Sequence, residues 1–155
     1  MEKNITTYSP EETRKLAAGL AGGLSAGDVI ALIGELGAGK TMFVKGLAAG
    51  LKVRDKYVNS PSFVILKEYP GDNPMYHFDV YRLDRKDFEE TLDYRAYFYG
   101  DGVSVVEWAD KIRDLLPEEY LEIEITYGED SGRMFCFRPV GERFKALVAG
   151  IEGRD

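Results

Sequence analysis

The sequence is poor in the features that mark export, membrane insertion and nucleic-acid surfaces. It holds a single cysteine, Cys136, so no internal disulfide can form and a reducing compartment is the matching environment. No apolar run approaches the ~20 residues that a membrane helix needs. The first residues, Met1-Glu2-Lys3-Asn4-Ile5-Thr6-Thr7, lack a basic stretch leading into an apolar one, so nothing there marks export. A cytoplasmic location without membrane association is the expectation. Positive charge is also short: 20 Lys and Arg stand against 27 Asp and Glu, a formal net charge of −7. A protein that grips nucleic acid unaided presents excess Lys and Arg to the phosphates, so direct binding of RNA or DNA is disfavoured.

What is present is a globular composition, with 45% hydrophobic and 30% charged residues in a chain of 155. That length suits one core, and no repeat, linker or low-complexity tract divides it, so residues 1–155 are expected to form one domain. Ser9-Pro10-Glu11-Glu12 reads as a helix start, with Ser9 as N-cap, Pro10 at the first helical position and Glu12 placed for the reciprocal capping bond. Leu16, Leu20 and Leu24 then repeat at four-residue spacing and form one apolar stripe, with the helix ending near Ser25-Ala26-Gly27. The run Val29-Ile30-Ala31-Leu32-Ile33 is short and apolar on both faces, as a central parallel strand is. A helix from about Lys40 to Leu51 follows it. Residues 63–69 and 75–81, joined by Pro70-Gly71-Asp72-Asn73-Pro74, read as a β-hairpin rather than a crossover. A surface helix over 84–92, an aromatic segment over 94–99, a buried strand over 103–106 and a short helix over 109–116 come next. A second hairpin pairs 121–127 with 134–138, and a last helix runs over 142–151. The pattern predicts an α/β fold of the P-loop NTPase type, in three layers: a mixed sheet with parallel core strands and β-hairpins, and helices on both faces.

Between the first buried strand and the following helix stands Gly34-Glu35-Leu36-Gly37-Ala38-Gly39-Lys40-Thr41, which fits the phosphate-loop pattern G-x-x-x-x-G-K-[ST] in its required strand–loop–helix context. Glycines let successive N–H groups turn inward around phosphate oxygens, and the new helix points the positive end of its dipole at the same anion. In this pattern Lys40 reaches the β- and γ-phosphates, and the Thr41 hydroxyl ligates Mg²⁺. Residues Glu35 to Thr41 are therefore the expected nucleotide-binding segment. The Asn-Lys-x-Asp motif of guanine recognition is absent, which favours ATP over GTP.

Magnesium keeps an octahedral oxygen shell, so a carboxylate is needed near the phosphates. Glu107 closes the strand run Val103 to Val106 and would sit at the carboxyl edge of the sheet, where α/β folds bind ligands. Its structural alternative is an acid in the first turn of the next helix, stabilised by the dipole. Asp79 lies in His77-Phe78-Asp79-Val80-Tyr81-Arg82-Leu83, where strand alternation sends His77, Asp79 and Tyr81 to one face and Phe78 and Val80 to the other. Its alternative is a salt bridge, for example with Arg82. Either acid could touch the metal or orient water. His77 reads as a packed strand residue, Trp108 as a core candidate, and Cys136, between Phe135 and Phe137, as a small apolar residue.

With the loop, Ser60-Pro61-Ser62-Phe63, His77-Phe78-Asp79-Val80-Tyr81-Arg82-Leu83 and Val105-Val106-Glu107-Trp108-Ala109-Asp110 in this order, the chain resembles the TsaE (YjeE) family of bacteria. The resemblance covers the chain from the first helix to about Asp110 and weakens beyond. It implies a P-loop ATPase that supports threonylcarbamoylation of an adenosine beside the tRNA anticodon, working with the proteins TsaD and TsaB and meeting tRNA only through that complex. It makes Thr41 and Glu107 the magnesium ligands and Asp79 a residue needed for hydrolysis. It places Ser60, Pro61, Ser62 and Phe63 in a switch-like segment that responds to the γ-phosphate, and Trp108 in a second switch. The family commonly has Thr where this chain has Ser62, a change that keeps the hydroxyl. Thr7 and Arg133 are implied near the adenine.

The competing reading is a small-molecule kinase using the same loop, but such kinases bring an arginine-rich lid, and only Arg82, Arg85 and Lys86 offer one. A nucleotide-dependent binding module with negligible turnover is a third reading, close to an ATPase that is slow without its partners.

Overall fold

The computed structural model describes residues 2–34, 39–53 and 66–151. Glu35, Leu36, Gly37 and Ala38 of the phosphate loop, and Ser60, Pro61, Ser62 and Phe63 of the switch-like segment, lie outside the described residues.

Seven strands form one sheet: β1 (Lys3–Thr7), β2 (Val29–Gly34), β3 (Leu66–Tyr69), β4 (Met75–Asp79), β5 (Val103–Glu107), β6 (Tyr120–Tyr127) and β7 (Arg133–Val140). Their order across the sheet is β1-β7-β6-β2-β5-β4-β3. β2 runs parallel to β5 and β6, and β4 runs parallel to β5, while β3, β7 and β1 add antiparallel edges. Both expected hairpins are present, as β3–β4 and β6–β7.

The doubly apolar β2 explains the layering. Ile30 and Leu32 enter one core with Phe43, Val44, Leu47, Ile123 and Phe135. Val29 and Ala31 enter the other with Phe78, Phe88, Phe98, Val106 and Ile112. Helices α1 (Pro10–Ala21), α2 (Lys40–Leu51) and α5 (Lys145–Ala149) contribute to the first core, and α3 (Arg85–Thr91) and α4 (Tyr94–Phe98) to the second. Among the described residues no helix is long and apolar enough to cross a membrane.

Several boundaries differ from the sequence reading, each for a local reason. The Ser9 hydroxyl accepts from the Glu12 N–H at 3.1 Å as expected, but the Glu12 carboxylate reaches the Tyr8 N–H at 2.9 Å, one residue before the cap. Helix α1 stops at Ala21, since Gly22 and Gly23 end it before Gly27 does. The chain beyond is tied down by the Arg143 guanidinium, which donates to the Gly23 carbonyl at 3.0 Å and to Asp28 at 2.8 Å. Residues 109–115 form a 3₁₀ segment kinked at Ile112, and the expected last helix divides into a 3₁₀ turn over Glu142–Phe144 and the short α5. Strand β1 has no strong pattern of its own. Only Ile5 and Thr7 are buried, and pairing with β7 supplies the rest.

Cys136 departs from expectation in its surroundings. It is buried, but on the polar face of β7, where Glu122 and Glu124 pair with Arg138 and Glu2 closes the network. Its thiol donates weakly to Glu2, and burial pushes it above the ordinary thiol range.

The α1–α2 contact fixes how α2 leaves the phosphate loop. A Cβ on Gly46 would lie 2.5 Å from the Arg14 carbonyl oxygen and 2.7 Å from the Ala17 Cβ. One on Gly50 would lie 2.6 Å from the Ala21 Cβ. These two glycines, one helical turn apart, let the helices approach backbone to backbone. In an open helix, alanine for glycine gains about 1 kcal/mol. At this contact the sign is expected to reverse, with Gly46→Ala lowering the unfolding free energy by about 1–3 kcal/mol through overpacking. Urea denaturation measures it, and a stabilised variant would show that the helices do not meet there.

Candidate functional site

Three adjacent parallel strands end at one edge of the sheet. The register pairs Asp79 of β4 with Glu107 of β5, and Glu107 in turn with Leu32 of β2, two residues before Gly34. Gly34, Glu107 and Asp79 thus stand in a row at the carboxyl edge, the place where parallel α/β sheets bind ligands. Alternation sends His77, Asp79 and Glu107 to the face that carries α2, because Phe78, Val80 and Val106 belong to the opposite core.

The ends of the phosphate loop are built by the two glycines that bound it. A Cβ on Gly34 would lie 2.3 Å from the Ile125 carbonyl oxygen of β6, so the strand can end this close to its neighbour only without a side chain. Gly39 has φ 104, a left-handed conformation suited to glycine, and caps α2. It brings no side chain to the amides of the first turn, and no acid stands in that turn, so the positive end of the helix is not neutralised from within.

Lys40 follows at once and is only 5% exposed. Its ammonium donates to the Gly34 carbonyl at 3.0 Å and lies 3.6 Å from the centroid of the Trp108 ring. Burial holds the ammonium below the ordinary lysine range, and the negative charges of Glu107, Asp79 and Asp110 counter that shift. Thr41 is the second residue of α2 and half-buried, one position from Lys40.

Glu107 is the last residue of β5 and 3% exposed, which answers its sequence alternative: it is a strand residue, one before the turn. Its Oε2 lies 2.6 Å from Nε2 of His77, itself fully buried. The neighbouring Asp79 is half-buried, and its Oδ1 accepts the Tyr81 N–H at 3.0 Å, closing a turn at the end of β4. Trp108 has φ 62, a left-handed conformation unusual outside glycine. Its ring meets both the Lys40 ammonium and the Tyr81 ring, whose centroid is 4.8 Å away. Trp108 therefore packs against the edge of a core and also meets the lysine of the loop.

The other two sequence candidates lie together on the far side. Thr7 pairs with Arg133 across β1 and β7, and its buried hydroxyl shares a hydrogen bond with Thr13 at 2.7 Å. The Arg133 Cγ lies 3.8 Å from where a Gly39 Cβ would stand, and its guanidinium stacks 4.6 Å from the Tyr127 ring centroid. The structure thus places Arg133 beside the end of the phosphate loop, with Thr7 next to it in the sheet.

The donor set at this edge is oxygen: the carboxylates of Glu107 and Asp79 and the hydroxyl of Thr41. Among the described residues no three of His, Cys, Asp and Glu gather closely enough to hold a metal by themselves. That composition suits a hard cation that takes one or two protein ligands and completes its shell with phosphate and water, as magnesium does. The residue that sequence reasoning passed over is His77. Alternation had already put it on the same face as Asp79, but the partner across the sheet, Glu107, comes from thirty residues further along.

Comparison with known proteins finds one family. Residues 7–135 match the family model described as threonylcarbamoyl adenosine biosynthesis protein TsaE. The tRNA threonylcarbamoyladenosine biosynthesis protein TsaE of Bacillus subtilis is 45% identical over 150 residues, 96% of this chain and 93% of that protein. Its namesake from Aquifex aeolicus is 42% identical over 125 residues, 79% of this chain and 87% of that protein. The crystal structure of YdiB from Bacillus subtilis superposes with a TM-score of 0.85 at 41% identity, covering 97% of this chain and 94% of that one.

The lowered Lys40 value carries a pH signature. A group whose folded value falls below its ordinary 10.5 binds fewer protons folded than unfolded in the window beneath that value. Stability contributed by Lys40 is therefore expected to rise as pH climbs through that window. Urea unfolding of the wild type and of Lys40→Met, from about pH 7 to about pH 10, reads the difference. The wild type should gain on the variant with increasing pH, and a flat or falling difference would mean that the ammonium is not desolvated.

Proposed function

The chain belongs to the TsaE family, and from that premise we propose that it serves the threonylcarbamoyladenosine modification of tRNA as a magnesium-dependent ATPase subunit. The observation that carries the ATPase reading is the row of Gly34, Glu107 and Asp79 at the ends of adjacent parallel strands, with Lys40 beside it. A phosphate loop alone binds a nucleotide. Two carboxylates beside its lysine add what hydrolysis requires, a place for the metal and a group for water.

In this reading the loop amides of Glu35 to Gly39 and the first turn of α2 hold the phosphates, and Lys40 exchanges the Gly34 carbonyl and Trp108 ring for phosphate oxygens. Thr41 and Glu107 hold magnesium, which when bound neutralises the charge that develops on the phosphates. Asp79 orients the attacking water or accepts its proton. Ser60, Pro61, Ser62 and Phe63 form a segment that senses the γ-phosphate, and Trp108 reports the same event from beside Lys40. Arg133, with Thr7 behind it, faces the base end of the nucleotide.

The same reading makes the chain one nucleotide-binding domain of a cytoplasmic complex with TsaD and TsaB, in which its hydrolysis resets the partners. A net charge of −7 fits contact with tRNA through those proteins and not by its own surface.

Glu107→Ala and Asp79→Ala are each expected to lower ATP turnover by about a hundredfold or more while the thermal melt stays cooperative. The assay is phosphate release with TsaD and TsaB present. Near-normal turnover in either variant removes that residue from the mechanism. Trp108 is the sole tryptophan, so its intrinsic fluorescence should change when Mg·ATP draws Lys40 away. Calorimetry that finds no affinity for any nucleoside triphosphate with magnesium would overturn the reading as a whole.

A further inference from the structure

His77 is the only histidine in the chain, fully buried, and uses one ring nitrogen on Glu107. Its other nitrogen, Nδ1, is buried and has no hydrogen-bond partner among the described residues. A histidine kept only to fill the core is hard to understand here, since an apolar ring of similar size would fill the space without leaving a buried polar atom unpaired. The arrangement makes sense if the Nε2 contact is what the position is for. His77 lies opposite Val105 in the register, two residues before the paired ends Asp79 and Glu107. Its imidazole therefore reaches Glu107 from the inner side of the sheet edge.

We propose that His77 is a positioning residue, which as the Nε2–H tautomer donates to Oε2 of Glu107 and fixes the orientation in which that carboxylate meets the metal. This rests on Glu107 being a magnesium ligand. The tautomer follows from the geometry. A carboxylate oxygen accepts, so Nε2 carries the hydrogen, and Nδ1, buried with no acceptor among the described residues, keeps a lone pair. A carboxylate held at one oxygen has lost the side-chain freedom that metal binding would otherwise have to remove. Partners of this kind, one bond behind a metal ligand, tune affinity by about 10–100-fold in metal sites generally.

Two measurements on the full chain test the assignment. With one histidine, the ¹⁵N imidazole spectrum contains a single ring system. It is expected to show the Nε2–H tautomer and to change in Glu107→Ala; an Nδ1–H tautomer, or no response to Glu107→Ala, overturns the proposal. In the second, His77→Phe should raise the magnesium concentration for half-maximal ATP binding about tenfold or more, while ATP binding in EDTA stays within about twofold of wild type. His77→Gln can present an amide donor near the position of Nε2 and should recover to within about threefold of wild type. Unchanged magnesium dependence in a folded His77→Phe, or a tenfold defect in His77→Gln, overturns the proposal. Should His77→Phe not fold, the tautomer and His77→Gln decide. Failure of the nucleotide reading itself would appear separately, as wild-type protein that binds no ATP while the imidazole spectrum still reports its bond to Glu107.

Discussion

The site depends on the register of β2, β5 and β4. Because these strands are parallel and start nearly in step, Asp79 and Glu107 end level with each other, and Gly34 follows two residues beyond the Leu32 that pairs with Glu107, although the three are far apart in sequence. A slip of one residue in β5 would turn Glu107 into the opposite apolar core and deprive the Lys40 ammonium of one of its countercharges. What guards the register is burial on both faces. Val103, Val105 and Val106 divide between the two cores, as do Met75 and Phe78 in β4, so each possible slip would strand apolar side chains and bury polar ones.

The same register gathers opposite charges into a space with little water. Lys40 is held by a carbonyl and an aromatic ring, while Glu107, Asp79 and Asp110 supply the negative charge that makes its burial tolerable. Glu107 in turn is held by His77. In the proposed reading an arriving triphosphate would replace the Gly34 carbonyl and the Trp108 ring as the partner of Lys40 and balance its charge, and the acids would then need a cation of their own. In this reading nucleotide and magnesium enter as a matched pair, and the protein's own charges balance one another until they do.

Much of this was legible in the sequence because the elements with strong local signals sit at the centre. The doubly apolar run Val29 to Ile33 and the turn Pro70 to Pro74 each specify their structure through nearest neighbours, and each is found where expected, as is the helix that begins at Lys40. What could not be read was whatever depends on a distant partner. Strand β1 exists because β7 offers it an edge, and the polar setting of Cys136 comes from Glu2, 134 residues away. The pairing of His77 with Glu107 is of the same kind. Alternation within one strand can place a side chain on a face but cannot name what waits across the sheet.

Several departures from local rules meet at this edge. Trp108 takes a left-handed backbone that costs about 1 kcal/mol or more outside glycine. Lys40 is buried, Gly39 leaves the start of a helix without a side-chain cap, and His77 keeps an unpaired nitrogen among the described residues. Elsewhere Ser9 caps α1, Asp84 caps α3, and the cores are closed by Val, Ile, Leu and Phe, although Lys52, Asp130 and Ser131 also take left-handed backbone. Sequences that specify one structure keep such conflicts few, and those that persist mark the place where function, not stability, chose the residues. In the proposed reading Trp108 and His77 stand with Lys40, because each tolerates a local cost beside the carboxylates of Glu107 and Asp79.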